Sequence, residues 1–204
     1  MVSNGNTNRE KVKSLRNIDQ KDWLIRINHV SNLLSSPKAP RDIILGSGKI
    51  EFEIPNLEKP GVMKKVVITE KWIENYLLLG ESLGYFEKSD DLYSWKDGQH
   101  VEINCETLRL RVLKFKQCQE VLKEIKKYNK PVPRGTIINT VSQTAYDPYA
   151  TSGNYRGYDQ ESLITAVVLL ESAGFIRQFK DYAEIPVRDK LQRRKIVFLE
   201  IIEG

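Results

Sequence analysis

The sequence predicts an α+β chain built from two tandem copies of one unit, and three observations carry that prediction. The first is a repeated helix end. Leu78-Leu79-Gly80-Glu81-Ser82-Leu83-Gly84-Tyr85-Phe86 lies against Val168-Leu169-Leu170-Glu171-Ser172-Ala173-Gly174-Phe175-Ile176, with Glu, Ser and Gly in register and an aromatic after the glycine both times. The second is a repeated upstream segment, Ala39-Pro40-Arg41-Asp42-Ile43-Ile44 against Val132-Pro133-Arg134-Gly135-Thr136-Ile137-Ile138, with one residue inserted. The third is their spacing, since Pro40 to Gly84 nearly equals Pro133 to Gly174. Two anchors at matched separation mark an internal duplication.

Residues 1–15 are polar and Gly/Asn-rich, with Arg9, Lys11 and Lys13, and read as a flexible basic tail. The first domain is taken as 16–104. Trp23, Ile27, Val30 and Leu34 recur at helical spacing, with Asp19 placed as N-cap. Pro37 and Pro40 stop that helix, and Arg41–Leu45 would begin a short second one. Lys49–Ile54 alternates as a strand and pairs with Val66–Ile68 across a Pro/Gly loop. Thr69 opens the next helix, whose ridge is Trp72, Tyr76, Leu79 and Leu83. Gly84 stops it, and Tyr85–Lys88 with Leu92–Trp95 form a hairpin.

The second domain, 105–204, begins with one long helix marked by Leu108, Val112, Phe115, Val121, Leu122 and Ile125, basic on its outer face. Arg134–Ala145 is a second helix. Asp147–Tyr158 is a Gly- and Tyr-rich loop, and a third helix follows, with Leu163, Val167 and Leu170 as its core side. Phe175–Ile185 and Ile196–Ile202 are strands around a basic connection, Pro186–Lys195. Three helices and then a hairpin is the order of a winged helix, a helix-turn-helix followed by a β-hairpin. The fold class is therefore two tandem winged-helix domains, the first with an inserted hairpin. A single α+β domain with a pseudo-twofold axis is the alternative.

Composition bounds the function. The chain has 204 residues, 40% hydrophobic and 29% charged, which is ordinary soluble composition. No apolar run is long enough to span a bilayer, and the N-terminus lacks a signal-peptide core. Cys105 and Cys118 provide neither a disulfide framework nor a metal-ligand spacing, so a cytoplasmic protein is expected. The net charge of +5 is unevenly placed. Residues 1–105 carry 15 Lys+Arg and 15 Asp+Glu, whereas 106–204 carry 17 and 12. A basic second domain suits an anionic partner, or serves solubility alone.

A catalytic constellation is not legible. His29 and His100 are the only histidines, which leaves few parts for a Ser-His-Asp relay or a zinc site. No Walker-type phosphate loop occurs, and no cofactor or metal is called for. Glu124-Ile125-Lys126 has a short nuclease-like spacing but falls in an amphipathic helix, where charged residues are ordinarily a solvated face. Glu51 and Glu53 read as the wet side of their strand.

Double-stranded DNA is the partner the residues favour. A winged helix puts its third helix in the major groove, where base edges are distinguishable. Around the start of that helix lie Asn154, Tyr155, Arg156, Tyr158, Gln160 and Thr165, whose Asn and Gln pair with adenine and Arg with guanine. Arg188, Lys190, Arg193, Arg194 and Lys195 fall at the wing, suited to phosphates or, alternatively, a solvated basic loop. Arg41 and Arg134 recur at the start of each second helix and meet phosphate or pair internally. The first domain offers only Lys71 and Asn75 beside Glu74, with Asp90, Asp91 and Asp97 on its hairpin, so it reads DNA weakly or docks a protein.

With Pro40–Ile44, Ser82–Phe86, Pro133–Ile138 and Ser172–Ile176 in this order, residues 17–202 resemble the DNA-recognition part of type IIS restriction endonucleases. That resemblance implies tandem winged-helix-related subdomains, sequence-specific binding, and cleavage by a separate nuclease domain or subunit. An end at Glu203-Gly204, directly after an apolar strand, fits a recognition domain separated from such a partner. A protein-interaction scaffold or transcription regulator is the other reading.

Overall fold

The structure is a computed structural model and describes residues 22–34, 39–40, 49–56, 59–90, 92–144, 158, 160–187 and 190–202. The expected tail, the N-cap at Asp19 and the helix over Arg41–Leu45 lie outside these residues, as does most of the Asp147–Tyr158 loop. The chain divides into two compact units, Met1–Asn104 and Cys105–Gly204.

In the first unit, α1 (Trp23–Asn32) buries Trp23, Ile27 and Val30, the residues its periodicity selects. Its N-cap is Asp22, whose carboxylate accepts two hydrogen bonds from Arg26 at 2.9 and 2.8 Å instead of capping the helix. After β1 (Ala39–Pro40) come β2 (Lys49–Pro55) and β3 (Met63–Thr69), an antiparallel hairpin with Phe52 opposite Val66. Helix α2 (Glu70–Ser82) packs on α1 and leads into β4 (Phe86–Ser89) and β5 (Leu92–Trp95). Asn28 ties α1 to the end of the unit, donating to the Ile103 carbonyl at 2.7 Å and accepting from its N–H at 2.9 Å.

The second unit opens with two helices rather than one. α3 (Cys105–Val112) and α4 (Lys116–Ile125) are separated at Leu113–Phe115, because Phe115 adopts extended backbone (φ −82°, ψ 122°). Sequence periodicity missed the break, since Leu108, Val112, Val121, Leu122 and Ile125 are buried on both sides of it. Then follow β6 (Val132–Pro133), α5 (Arg134–Thr144), α6 (Gln160–Ser172), β7 (Ile176–Val187) and β8 (Lys190–Ile201). α6 is the hub, packed against α3, α4, α5 and β7. Its Leu163, Val167 and Leu170 are wholly buried.

Two local features recur in both units. Each has a two-residue strand ending in proline that pairs with the second strand of the later hairpin, giving sheet orders β1-β5-β4 and β6-β8-β7. Each long helix ends in the same hydrogen-bonded turn. The Tyr85 N–H bonds to the Gly80 carbonyl at 2.8 Å and the Gly84 N–H to Glu81 at 2.9 Å; the Phe175 N–H bonds to Leu170 and the Gly174 N–H to Glu171, both at 3.0 Å. This is a Schellman end, which requires a left-handed residue, and Gly84 (φ 74°) and Gly174 (φ 71°) provide it. The short strands escaped the sequence reading because two residues show no alternation.

The hairpins differ. β4–β5 has four-residue strands, whereas β7–β8 is a ribbon of twelve-residue strands in register from Ile176↔Ile201 to Val187↔Lys190. The basic stretch Pro186–Lys195 is therefore not a connection: only residues 188–189 lie between the strands, and Lys190, Arg193, Arg194 and Lys195 are in β8. A strand with polar residues on both faces gives no alternation to read.

Candidate nucleic-acid interface

The second unit brings three pieces of chain around one concavity of about 580 Å³: the start of α5, the start of α6 and the outer part of the ribbon. Its lining is mostly apolar, through Ile138, Ile164, Ala183, Ile185 and Ile196, with Arg134, Thr136, Asn139, Gln160 and Glu184 as polar members. Here β6 draws the first turn of α5 to the sheet, and α6 starts beside it, so both helix starts face the ribbon.

Polar side chains tie the start of α6 to the middle and later part of α5, and the start of α5 to the ribbon. The Gln160 side-chain amide donates to Asn139 Oδ1 at 3.4 Å, and both residues are exposed. Ser142 Oγ donates to the Tyr158 carbonyl at 3.1 Å, anchoring the chain just before α6. Arg134 donates to Gln178 Oε1 at 3.3 Å. Gln178 is itself held by Glu171, which accepts from its backbone N–H at 2.9 Å and its side-chain amide at 2.8 Å. Arg134 is thus half-buried and tied to the base of the ribbon, the internal pairing weighed from the sequence.

The ribbon carries the charge. Opposed residues of an antiparallel ladder share a face, so the register sorts its outer half into two sides. One holds Lys180, Tyr182, Glu184, Pro186, Leu191, Arg193 and Lys195; the other holds Asp181, Ala183, Ile185, Gln192, Arg194 and Lys190. Lys190, Arg193, Arg194 and Lys195 are exposed. The Arg193 guanidinium stacks 4.9 Å from the Tyr182 ring centroid, and Arg194 donates to Gln192 Oε1 at 2.8 Å. At the ribbon's inner end Arg177 pairs across the strands with Glu200.

Thr165 requires correction. It is only 2% exposed and its hydroxyl donates back to the Glu161 carbonyl at 3.0 Å, so it faces the core and cannot touch a base edge. One turn beyond the exposed Gln160, the helix has already rotated it inward. Arg41, Asn154, Tyr155, Arg156 and Arg188 lie outside the described residues. Lys71 is exposed on the first turn of α2, with Asn75 half-buried one turn later; both belong to the first unit. The sequence reading overlooked Asn139, Lys180, Tyr182 and Leu191. Only strand pairing reveals Tyr182 as a neighbour of Arg193.

Two other carboxylates singled out in the sequence have internal partners. Glu124 is not on a solvated face; it is 7% exposed and pairs with Lys127. Glu51 sits between Lys49 and Lys65, whose ammonium groups hydrogen-bond to it and hold its carboxyl down at about 2. Among the described residues no group of three or more His, Cys, Asp or Glu could hold a metal ion, and no helix is long and apolar enough to cross a membrane.

No protein-family model and no curated protein matches the chain. Solved structures of restriction endonuclease FokI are similar to it at 14% identity. The free enzyme aligns over 96% of this chain and 43% of that one with a TM-score of 0.46. The enzyme bound to DNA aligns over 95% and 44%, at 0.47. The chain spans less than half the length of these solved chains.

Proposed function

We propose that the chain is a sequence-specific double-stranded DNA-binding module made of two winged-helix units that arose by duplication. In this reading α5 and α6 form the helix-turn-helix, and the start of α6 meets base edges in the major groove. The β7–β8 ribbon is the wing. The single observation that carries the proposal is the placement of Lys190, Arg193, Arg194 and Lys195 on a solvent-exposed ribbon beside the polar starts of two helices. Phosphates alone would bind such a ribbon without regard to sequence; Gln160 and Asn139 supply amide groups able to discriminate. By the resemblance seen in the sequence, the module serves as the target-recognition part of a restriction-endonuclease-type protein, with cleavage assigned to a separate nuclease domain or subunit.

The test is duplex binding across salt concentrations, followed by selection from a random duplex library. Affinity should fall steeply with salt, and one site should be enriched. Replacing Lys190, Arg193 and Arg194 by Ala should weaken binding to every duplex by roughly tenfold or more, and reduce the log–log salt slope by about 3. No binding at low salt sinks the proposal. A protein-docking role for the first unit rests on Val62, Met63 and Val67, which its inserted hairpin exposes. Capture of a protein partner that Met63→Asp abolishes would favour that role.

A further inference from the structure

Two features of the ribbon are left over by phosphate binding. Leu191 is 68% exposed, and it lies directly opposite the exposed Pro186 on one face. Together they form a small exposed apolar pair that phosphate binding alone does not use. They sit one pair from the last rung of the ladder, Val187↔Lys190, and therefore close to the ribbon's tip. Proline costs no hydrogen bond at this position, because β7 is the edge strand of the β6-β8-β7 sheet. The surrounding charge defines the partner: Lys180, Lys190, Arg193, Arg194 and Lys195 stand against Asp181 and Glu184 on the same outer half.

The reach is also suitable. Six residue pairs, Tyr182↔Lys195 to Val187↔Lys190, project outward, roughly 20 Å of strand. Between this arm and the helix starts lies the concavity, whose width separates what each wall can touch. On the proposed reading, the α6 start in one groove would set a sugar–phosphate ridge at the hollow and the outer ribbon around Leu191 beside the neighbouring groove.

We infer that Leu191, backed by Pro186, is a wedge that the ribbon tip drives against a base step from the minor groove, so that this protein kinks the DNA it binds. Leucine and proline are among the side chains that partly unstack a step and bend a duplex toward the major groove. The cationic face around them neutralises phosphates brought together by the bend. The inference rests on the DNA-binding reading above and adds deformation to it. Specificity would then extend to positions without base contacts, because flexible pyrimidine–purine steps kink more readily than stiff ones.

The experiment uses the full chain and two duplexes of roughly 30 base pairs. One is fully paired, and the other is the same sequence with two unpaired thymines at its centre. The wild type should bind the pre-kinked duplex at least about tenfold more tightly, since its deformation cost is already met. It should also raise energy transfer between dyes on the ends of the paired duplex. Leu191→Ser should bring the two affinities within about twofold and abolish the energy-transfer change. Leu191→Phe should restore the preference. Equal affinities for the two duplexes in the wild type, or a preference that survives Leu191→Ser, overturns the wedge alone. Absence of binding to both duplexes at low salt overturns the DNA-binding reading and the wedge together.

Discussion

Gly80 shows how packing fixes one residue of the repeated helix-end motif. A Cβ built there would stand 2.1 Å from the Phe86 ring. The second unit has Leu170 and Ile176 at the matching positions, so bulk has passed from the strand residue to the helix residue. Gly80→Ala should destabilise the protein by about 1–3 kcal/mol through overpacking, outweighing the helix propensity gained. In a Phe86→Ile background the same change should cost much less; urea denaturation of the four variants measures this coupling. An additive result would mean that the ring simply moves aside. The cysteines allow a second residue-level prediction. Cys118 is buried against the Ala166 carbonyl, and burial pushes its thiol up to about 12, whereas Cys105 is exposed. Iodoacetamide at neutral pH should therefore modify Cys105 and spare Cys118 until the protein is unfolded. Peptide mass mapping before and after urea decides it. Cys105 and Cys118 were legible only as an absence of disulfide or metal spacing; their contrasting environments come from packing.

Among the elements, helix ends and ribbon length matter most. Both Schellman ends depend on left-handed backbone that an L side chain resists. Gly84→Ala and Gly174→Ala should each cost about 1 kcal/mol, seen as a lowered Tm. At Gly174 the added Cβ would also meet Cys105 Sγ at 3.1 Å, and asparagine should be tolerated better than alanine at both positions. These ends were readable in advance, since Gly followed by an aromatic is a local signal. The ribbon was not. Its strands were read as stopping near Ile185 and starting again near Ile196, because exposed Lys190, Gln192, Arg193 and Arg194 suggest a loop when seen singly. Pairing makes them strand: Glu184 opposes Arg193 and Tyr182 opposes Lys195, and backbone hydrogen bonds form whatever the side chains are. The same limit hid the break between α3 and α4, where a continuous apolar face runs across a residue with extended backbone.

For the whole molecule, each unit has its own buried core, around Trp23, Ile73 and Tyr76 in the first and Leu108, Val121 and Leu163 in the second. Residues 105–204 expressed alone should fold cooperatively and keep most of the salt-sensitive duplex binding, while residues 1–104 should bind little. Circular dichroism with an anisotropy titration checks both, and binding confined to the first unit would reverse the proposed division of labour. The sequence by itself determined a repeated helix-end motif, where the two long helices stop, and that the excess positive charge belongs to the second half. Those properties are local or additive, so they survive without knowledge of what touches what. Only the tertiary structure decided that Thr165 faces the core, that Arg134 is engaged with Gln178, and that Asn139 meets Gln160. It also decided that Leu191 stands beside Pro186 among the cations of one ribbon. These are facts of pairing and rotation between segments distant in the chain, and no periodicity within a single segment encodes them.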